Sequence, residues 1–141
     1  MRASDILASK GSDVVCIGPA ATLEDAIECL AEHGIGAVVV AEEGRPVGML
    51  SERDVIRVLA GAPTGFRDSA VRASMTAPVV TVGPDASVDE LLDEMTEKRI
   101  RHLPVCEDGK LVGILSIGDV VKHRIRAVTS EADMLRDYIQ G

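Results

Sequence analysis

The chain has 141 residues, 46% of them apolar and 27% charged, with a net charge of −8, the balance of a globular protein able to bury a core. The carboxylate excess excludes general affinity for nucleic-acid backbones and anionic membrane surfaces, and one Tyr, one Phe and no Trp leave almost nothing to stack on bases. Cys16, Cys29 and Cys106 are too scattered for a disulfide framework or a zinc site; with no apolar stretch of signal-peptide or membrane-spanning length, the expectation is a cytoplasmic protein.

In chain order, a β-rich run at 14–17 ends at Gly18-Pro19, a turn pair. Thr22 is a candidate N-cap with Asp25 three residues on. Leu23, Ala26, Ile27 and Leu30 then fall on one helical stripe, and Gly34 stops the helix. Two apolar strands, 37–41 and 47–50, flank the Gly-containing turn "EEGR", and Ser51 opens a further helix. After a Gly- and Pro-bearing linker the same order returns. A run at 79–82 ends at Gly83-Pro84, and Ser87 stands before Glu90. Val88, Leu91, Leu92 and Met95 form a stripe that ends near Arg99. Strands at 102–106 and 111–115 flank "EDGK", and Ser116 opens the next helix. Residues 130–140 read as a separate capped helix whose Met134, Leu135, Tyr138 and Ile139 are expected to pack on the chain's own domain, with a subunit interface as the alternative.

The two halves are copies. A shift of 65 residues lays "VVCIGPAATLEDAIECLAEHGIGAVVVAEEGRPVGMLSERDVI" (14–56) on "VVTVGPDASVDELLDEMTEKRIRHLPVCEDGKLVGILSIGDVV" (79–121) without a gap, which marks an internal duplication. One strand–helix–strand–strand–helix unit of roughly 45 residues buries too little surface to be stable alone. The expected fold is therefore α/β (α+β): two β-α-β-β-α repeats, related by a pseudo-twofold and packed into one module, plus a C-terminal helix. The boundaries read as 1–60 for repeat 1, 61–74 for the linker, 75–128 for repeat 2 and 129–141 for the C-terminal helix.

With "GIGAVVVAEEGRPVGMLSERDVI", "VVTVGPDASVDEL" and "RIRHLPVCEDGKLVGILSIGDVV" in place, the chain resembles the tandem cystathionine-β-synthase domain pair, the CBS pair or Bateman module. The resemblance covers about residues 4 to 126. It implies a regulatory, non-catalytic module that binds an adenosine-containing ligand: AMP first, with ADP, ATP, NAD(H) or S-adenosylmethionine as alternatives. It also implies a homodimer and a separate regulated protein partner.

The residues themselves suggest how such a ligand would be held. A ribose diol is well served by a carboxylate accepting from both hydroxyls. Asp54 and Asp119 stand in the first turn after a strand, at helix N-termini that favour phosphate, with Ser51 and Ser116 beside them. The competing reading is a cap, Ser at N-cap and Asp at N3; here Asp is expected to be one methylene short of reaching back. By resemblance, the segment leading into each first strand lines the adenine slot: Thr76, Ala77, Pro78 and Val79, and by overlay Gly11, Ser12, Asp13 and Val14. Met49 and Ile114 could line the same slots, although core packing accounts for Val79 and Val14 equally well. "KRIRH" at 98–102 is the densest basic cluster. The resemblance implies that Arg101 and His102 point to the phosphate in the Asp54 cleft, while Lys98 and Arg99 are read as a solvated helix end. The overlay puts Gly36 and Ala37 where repeat 2 has Arg101 and His102, and Gly118 where repeat 1 has Arg53. The Asp119 cleft is thus expected to be the weaker one.

His33, His102 and His123 lack metal-ligand spacing, and there is no P-loop, G-x-S-x-G or G-x-G-x-x-G. A ligand sensor is the leading reading, and a non-catalytic scaffold with vestigial clefts the alternative. No catalytic or metal residues are assigned.

Overall fold

A computed structural model describes residues 1–61 and 64–140. Helix α1 (Ala3–Lys10) leads into strand β1 (Cys16–Ile17), helix α2 (Leu23–His33), strands β2 (Ala37–Glu42) and β3 (Arg45–Ser51) and helix α3 (Glu52–Gly61). Two 3-10 turns, Phe66–Asp68 and Val71–Ala73, cross to the second copy, which holds helix α4 (Val88–Glu97), strands β4 (His102–Glu107) and β5 (Lys110–Ser116) and helix α5 (Ile117–Gln140). Ala62 and Pro63 of the predicted linker lie outside the described residues.

Local chemistry sets most of these boundaries. The Thr22 hydroxyl accepts from the Asp25 N–H, and the Asp25 carboxylate accepts from the Thr22 N–H; Ser87 accepts from the Glu90 N–H. Gly34 ends α2 in the left-handed region at φ 62°. The hairpin turns have positive φ at both central residues, Glu43 and Gly44, then Asp108 and Gly109. That is the geometry whose twist matches paired strands, and it explains why each turn carries a glycine.

The first strand of each copy is shorter than predicted, and the two copies differ. In repeat 1, β1 keeps two residues parallel to β2, and the Val39 N–H donates to the Val15 carbonyl at 3.3 Å. In repeat 2 the position of Val39 is Pro104, which has no N–H to give. The ladder shrinks to a single Val82–Val105 bridge, leaving sheets β1-β2-β3 and β4-β5.

Packing crosses the boundaries drawn along the chain. Helix α1, assigned to repeat 1, inserts Ala3, Ile6 and Leu7 into the core of repeat 2 with Val88, Leu91, Met95, Leu103, Val105, Leu115 and Val120. Conversely Val71, in the linker, joins Leu23, Ala26, Leu30, Val38, Val40 and Leu50 in the core of repeat 1. Each repeat therefore completes its apolar core with a segment from beyond its own duplicated unit. The approach is close: a Cβ at Gly113 would lie 2.6 Å from Leu7, and one at Gly48 2.6 Å from the Met75 sulfur.

The C-terminal helix is present, though not as a separate capped element. Residues 117–140 form one helix of 24 residues, because "RAVTSEA" contains neither Gly nor Pro to interrupt it. Met134, Leu135, Tyr138 and Ile139 are 63–86% exposed. This stripe does not pack on its own domain, contrary to the expectation.

Candidate functional site

A cleft of about 620 Å³ lies between the repeats, under the N-terminus of α3. Of the residues singled out in sequence, Met49, Ser51, Arg53, Asp54, Thr76, Pro78, Val79, Arg101 and His102 line it. Ala77 is exposed and is not part of its wall, and Ser12, Val14, Ile114, Ser116 and Asp119 do not line it.

Asp54 sits in the first turn of α3, 8% exposed. Its Oδ2 accepts from the Ser51 backbone N–H at 2.9 Å and from the Ser51 hydroxyl at 3.1 Å, while the Asp54 N–H donates back to the Ser51 hydroxyl at 3.3 Å. Ser116 and Asp119 repeat the reciprocal pair at 2.9 and 3.1 Å. The expectation that Asp is too short for this box was incorrect. Ser51 and Ser116 still belong to the strands, and that extended backbone brings the N–H within reach of the shorter side chain. Cap and cleft residue are compatible roles, since Asp54 Oδ1 faces the Thr76 hydroxyl at 3.4 Å and the Arg57 guanidinium at 3.7 Å.

Segment 75–76 is strapped to β3: the Met49 N–H donates to Thr76 O at 3.0 Å and the Thr76 N–H to Met49 O at 2.8 Å. This pairing sets an aliphatic slot of Met49, Pro78 and Val79 beside the carboxylate. Arg101 is held through its backbone, its carbonyl accepting from the Ile117 N–H, the first of α5, at 2.8 Å.

The cleft is locally positive in an acidic chain. Arg53, Arg57, Lys98, Arg99 and Arg101 line it, against only Glu52 and Asp54 among the carboxylates. Lys98 and Arg99, read as a solvated helix end, are thus cleft residues, although Lys98 also pairs with Glu94 at 3.0 Å. Arg99 turns there because it adopts φ 53° after the α4 cap. Burial lowers the His102 pKa, helped by the charges of Lys10 and Arg101 and opposed by Asp119, which favours the neutral ring at neutral pH. His102 pairs with Ser116 across β4 and β5, so it joins the wall of the Asp54 cleft to the Ser116–Asp119 cap. Gly36 and Ala37, assigned by overlay to the second cleft, also line the first.

The Asp119 half holds a residue that sequence reasoning missed. Lys10, the last residue of α1, donates through Nζ to Asp119 Oδ2 at 2.7 Å and to the Ile114 carbonyl at 2.9 Å. Burial pushes the Asp119 carboxyl up, but the hydrogen bonds from Lys10 and Ser116 and the lysine charge outweigh it and hold the pKa below the ordinary value. Arg57, one turn beyond Asp54, was also missed. Its i,i+3 spacing was the available signal.

The family model for the CBS domain matches the chain twice, over residues 3–61 and 69–126. The chain belongs to the CBS-domain family. Among CBS-domain relatives, a mitochondrial CBS domain-containing protein of Arabidopsis thaliana is 33% identical over 98% of this chain and 71% of its own length. A crystal structure of a CBS-domain-containing protein from Agrobacterium tumefaciens is similar at a TM-score of 0.83, with 42% identity over 88% of this chain and 99% of that one. A CBS domain protein from Pyrobaculum aerophilum, whose structure was solved in complex with AMP, is similar at 0.76, with 30% identity over 84% of this chain and 89% of that one. The duplicated CBS pair and its mixed α and β fold are thus established. Among the described residues no helix is long and apolar enough to cross a membrane.

Proposed function

We propose that this CBS pair is a non-catalytic regulatory module that binds an adenosine-containing nucleotide, AMP first, in the Asp54 cleft and signals through conformation or dimer state to a separate protein. The observation that carries this reading is the juxtaposition in one cleft of a buried carboxylate, an aliphatic slot and a group of cations. These are the three chemistries a ribose diol, an adenine and a phosphate require. Asp54 would take the ribose hydroxyls, with Thr76 and Ser51 beside it. Met49, Pro78 and Val79 would flank the base, while Arg53, Arg101 and His102 would face the phosphate. The volume of about 620 Å³ is in the range of small-molecule sites, roughly 300–1,000 Å³. The AMP complex of the Pyrobaculum aerophilum relative supports the same ligand class, with ATP and NAD(H) as alternatives. Three free cysteines suit a reducing cytoplasm.

Thermal unfolding with AMP, ADP, ATP, NAD, NADH and S-adenosylmethionine tests the reading. A ligand at a hundred times its Kd adds about 2.7 kcal/mol, a rise of several degrees. A second reading, a scaffold with vestigial clefts, is favoured by Ile56 and Leu59 on α3 and Ile117, Val121 and Ile125 on α5, all apolar and exposed. The same faces support a homodimer. Sedimentation that reports a dimer, together with no thermal shift from any ligand, would select the scaffold.

A further inference from the structure

The two halves can be compared atom by atom. In the Asp54 half, the Thr76 N–H donates to the Met49 carbonyl at 2.8 Å, and the Thr76 hydroxyl reaches Asp54 Oδ1 at 3.4 Å. In the other half, the equivalent carbonyl belongs to Ile114 and the equivalent carboxylate to Asp119. One group, the Lys10 ammonium, serves both, at 2.9 and 2.7 Å. The overlay sets Lys10 against Met75, the residue that covers Gly48, while Leu7 covers Gly113 in the second half. A helix thus replaces the strap in repeat 2, and its last side chain delivers a close cation to the Ile114 carbonyl and to the capping oxygen of Asp119, where repeat 1 has the Thr76 N–H on the Met49 carbonyl and only the longer Thr76 and Arg57 contacts on Asp54 Oδ1.

The chemical consequence is unequal availability. The contacts to Asp54 Oδ1 are long, the neutral Thr76 hydroxyl at 3.4 Å and the Arg57 guanidinium at 3.7 Å on a side chain 69% exposed, and an incoming hydroxyl can displace them. The contact from Lys10 to Asp119 is short and charge-assisted, a stronger class of bond, and both side chains are about three-quarters shielded from solvent, at 31% and 25% exposure. A ribose that takes Asp119 through both carboxylate oxygens would have to eject an ammonium from Oδ2 and from the Ile114 carbonyl.

We infer that Lys10 is an internal occupant of the Asp119 cleft, which neutralises the would-be ribose anchor and limits the module to one open adenosine site. This rests on the adenosine reading of the Asp54 cleft, and it assigns the number of sites to a residue outside the duplicated segment.

Isothermal titration of the full chain with AMP tests it. Wild type is expected to bind one AMP per chain. Lys10→Met, which keeps the apolar stem and removes the charge, is expected to bind two, as is Lys10→Ala. Lys10→Met combined with Asp54→Ala should return to one, which places the new site at Asp119. A wild-type chain that already binds two, or a Lys10→Met chain that remains at one while folded by circular dichroism, overturns the role of Lys10 and leaves the adenosine reading standing. No AMP binding by wild type or by either lysine variant overturns both.

Discussion

Asp54 carries a capping role and a proposed ligand role on one carboxylate, and two substitutions separate them. Asp54→Ala removes the acceptor for the Ser51 N–H and hydroxyl. The Ser51 hydroxyl can still accept from the backbone N–H of residue 54, so the N-cap bond survives, while the part-buried Ser51 N–H left without a partner costs about 1–3 kcal/mol. The ligand-free protein should thus lose about 1–3 kcal/mol. Asp54→Asn retains an oxygen that can accept from Ser51 and should lose under about 1 kcal/mol. Affinity should divide differently. Hydrogen bonds to a charged group are worth about 1.5–3 kcal/mol each, so a carboxylate that accepts from both ribose hydroxyls accounts for at least about 3 kcal/mol, a hundredfold or more in Kd. Asp54→Asn, which loses the charge and turns half the acceptor into a donor, should lose at least tenfold. Urea unfolding of the ligand-free proteins gives the stabilities, and calorimetric titration with AMP gives the affinities. If Asp54→Ala is destabilised by the expected amount and still binds AMP with wild-type affinity, Asp54 is a cap and nothing more, and the ribose assignment fails.

Two further predictions concern the same cleft. His102 should titrate below the ordinary imidazole value of about 6.5, because burial and the charges of Lys10 and Arg101 disfavour its cation. With the folded pKa depressed, its contribution to stability is complete above the unfolded pKa and is lost as the pH falls through the folded one. A phosphate seated beside His102 should raise its pKa by about one unit or more, and histidine NMR titration with and without AMP checks this; an unmoved value would take the phosphate away from His102. Gly48→Ala should loosen the strap of the adenine slot, since its Cβ would meet Met75 Sδ at 2.6 Å and the Thr76 carbonyl at 3.1 Å. A stability loss of about 1–3 kcal/mol, with weaker AMP binding, is the expected result; unchanged binding would show that segment 75–76 does not shape the site.

Where a feature depended on local chemistry, it was legible in the letters. The caps at Thr22 and Ser87, the stop at Gly34 and the glycine hairpins each need only a few neighbouring residues, and all formed as read. The duplication was legible because a gapless overlay needs no coordinates. Asp54, Arg101 and His102 converge on one cleft although 47 positions separate the first two, and the family pattern rather than local chemistry pointed there. The first strand of repeat 2 was overestimated because the effect of Pro104 depends on register. A proline weakens a ladder only where its missing N–H faces an acceptor, and the overlay on Val39 supplied that register only once Val39 was seen to donate.

Sequence by itself thus determined the repeat, its elements and the residue types that can hold a nucleotide, since these follow from patterns a few residues long and from one self-comparison. Tertiary structure decided which segments complete which core and which carboxylate is paired with Lys10. Helix α1 crosses to repeat 2 because Ile6 and Leu7 find their apolar partners there, and that crossing carries Lys10 to Asp119, 109 positions along the chain. No periodicity or capping rule encodes an ion pair of that kind. It exists because burial of an apolar face fixed the end of a helix, and the end of the helix fixed a charge.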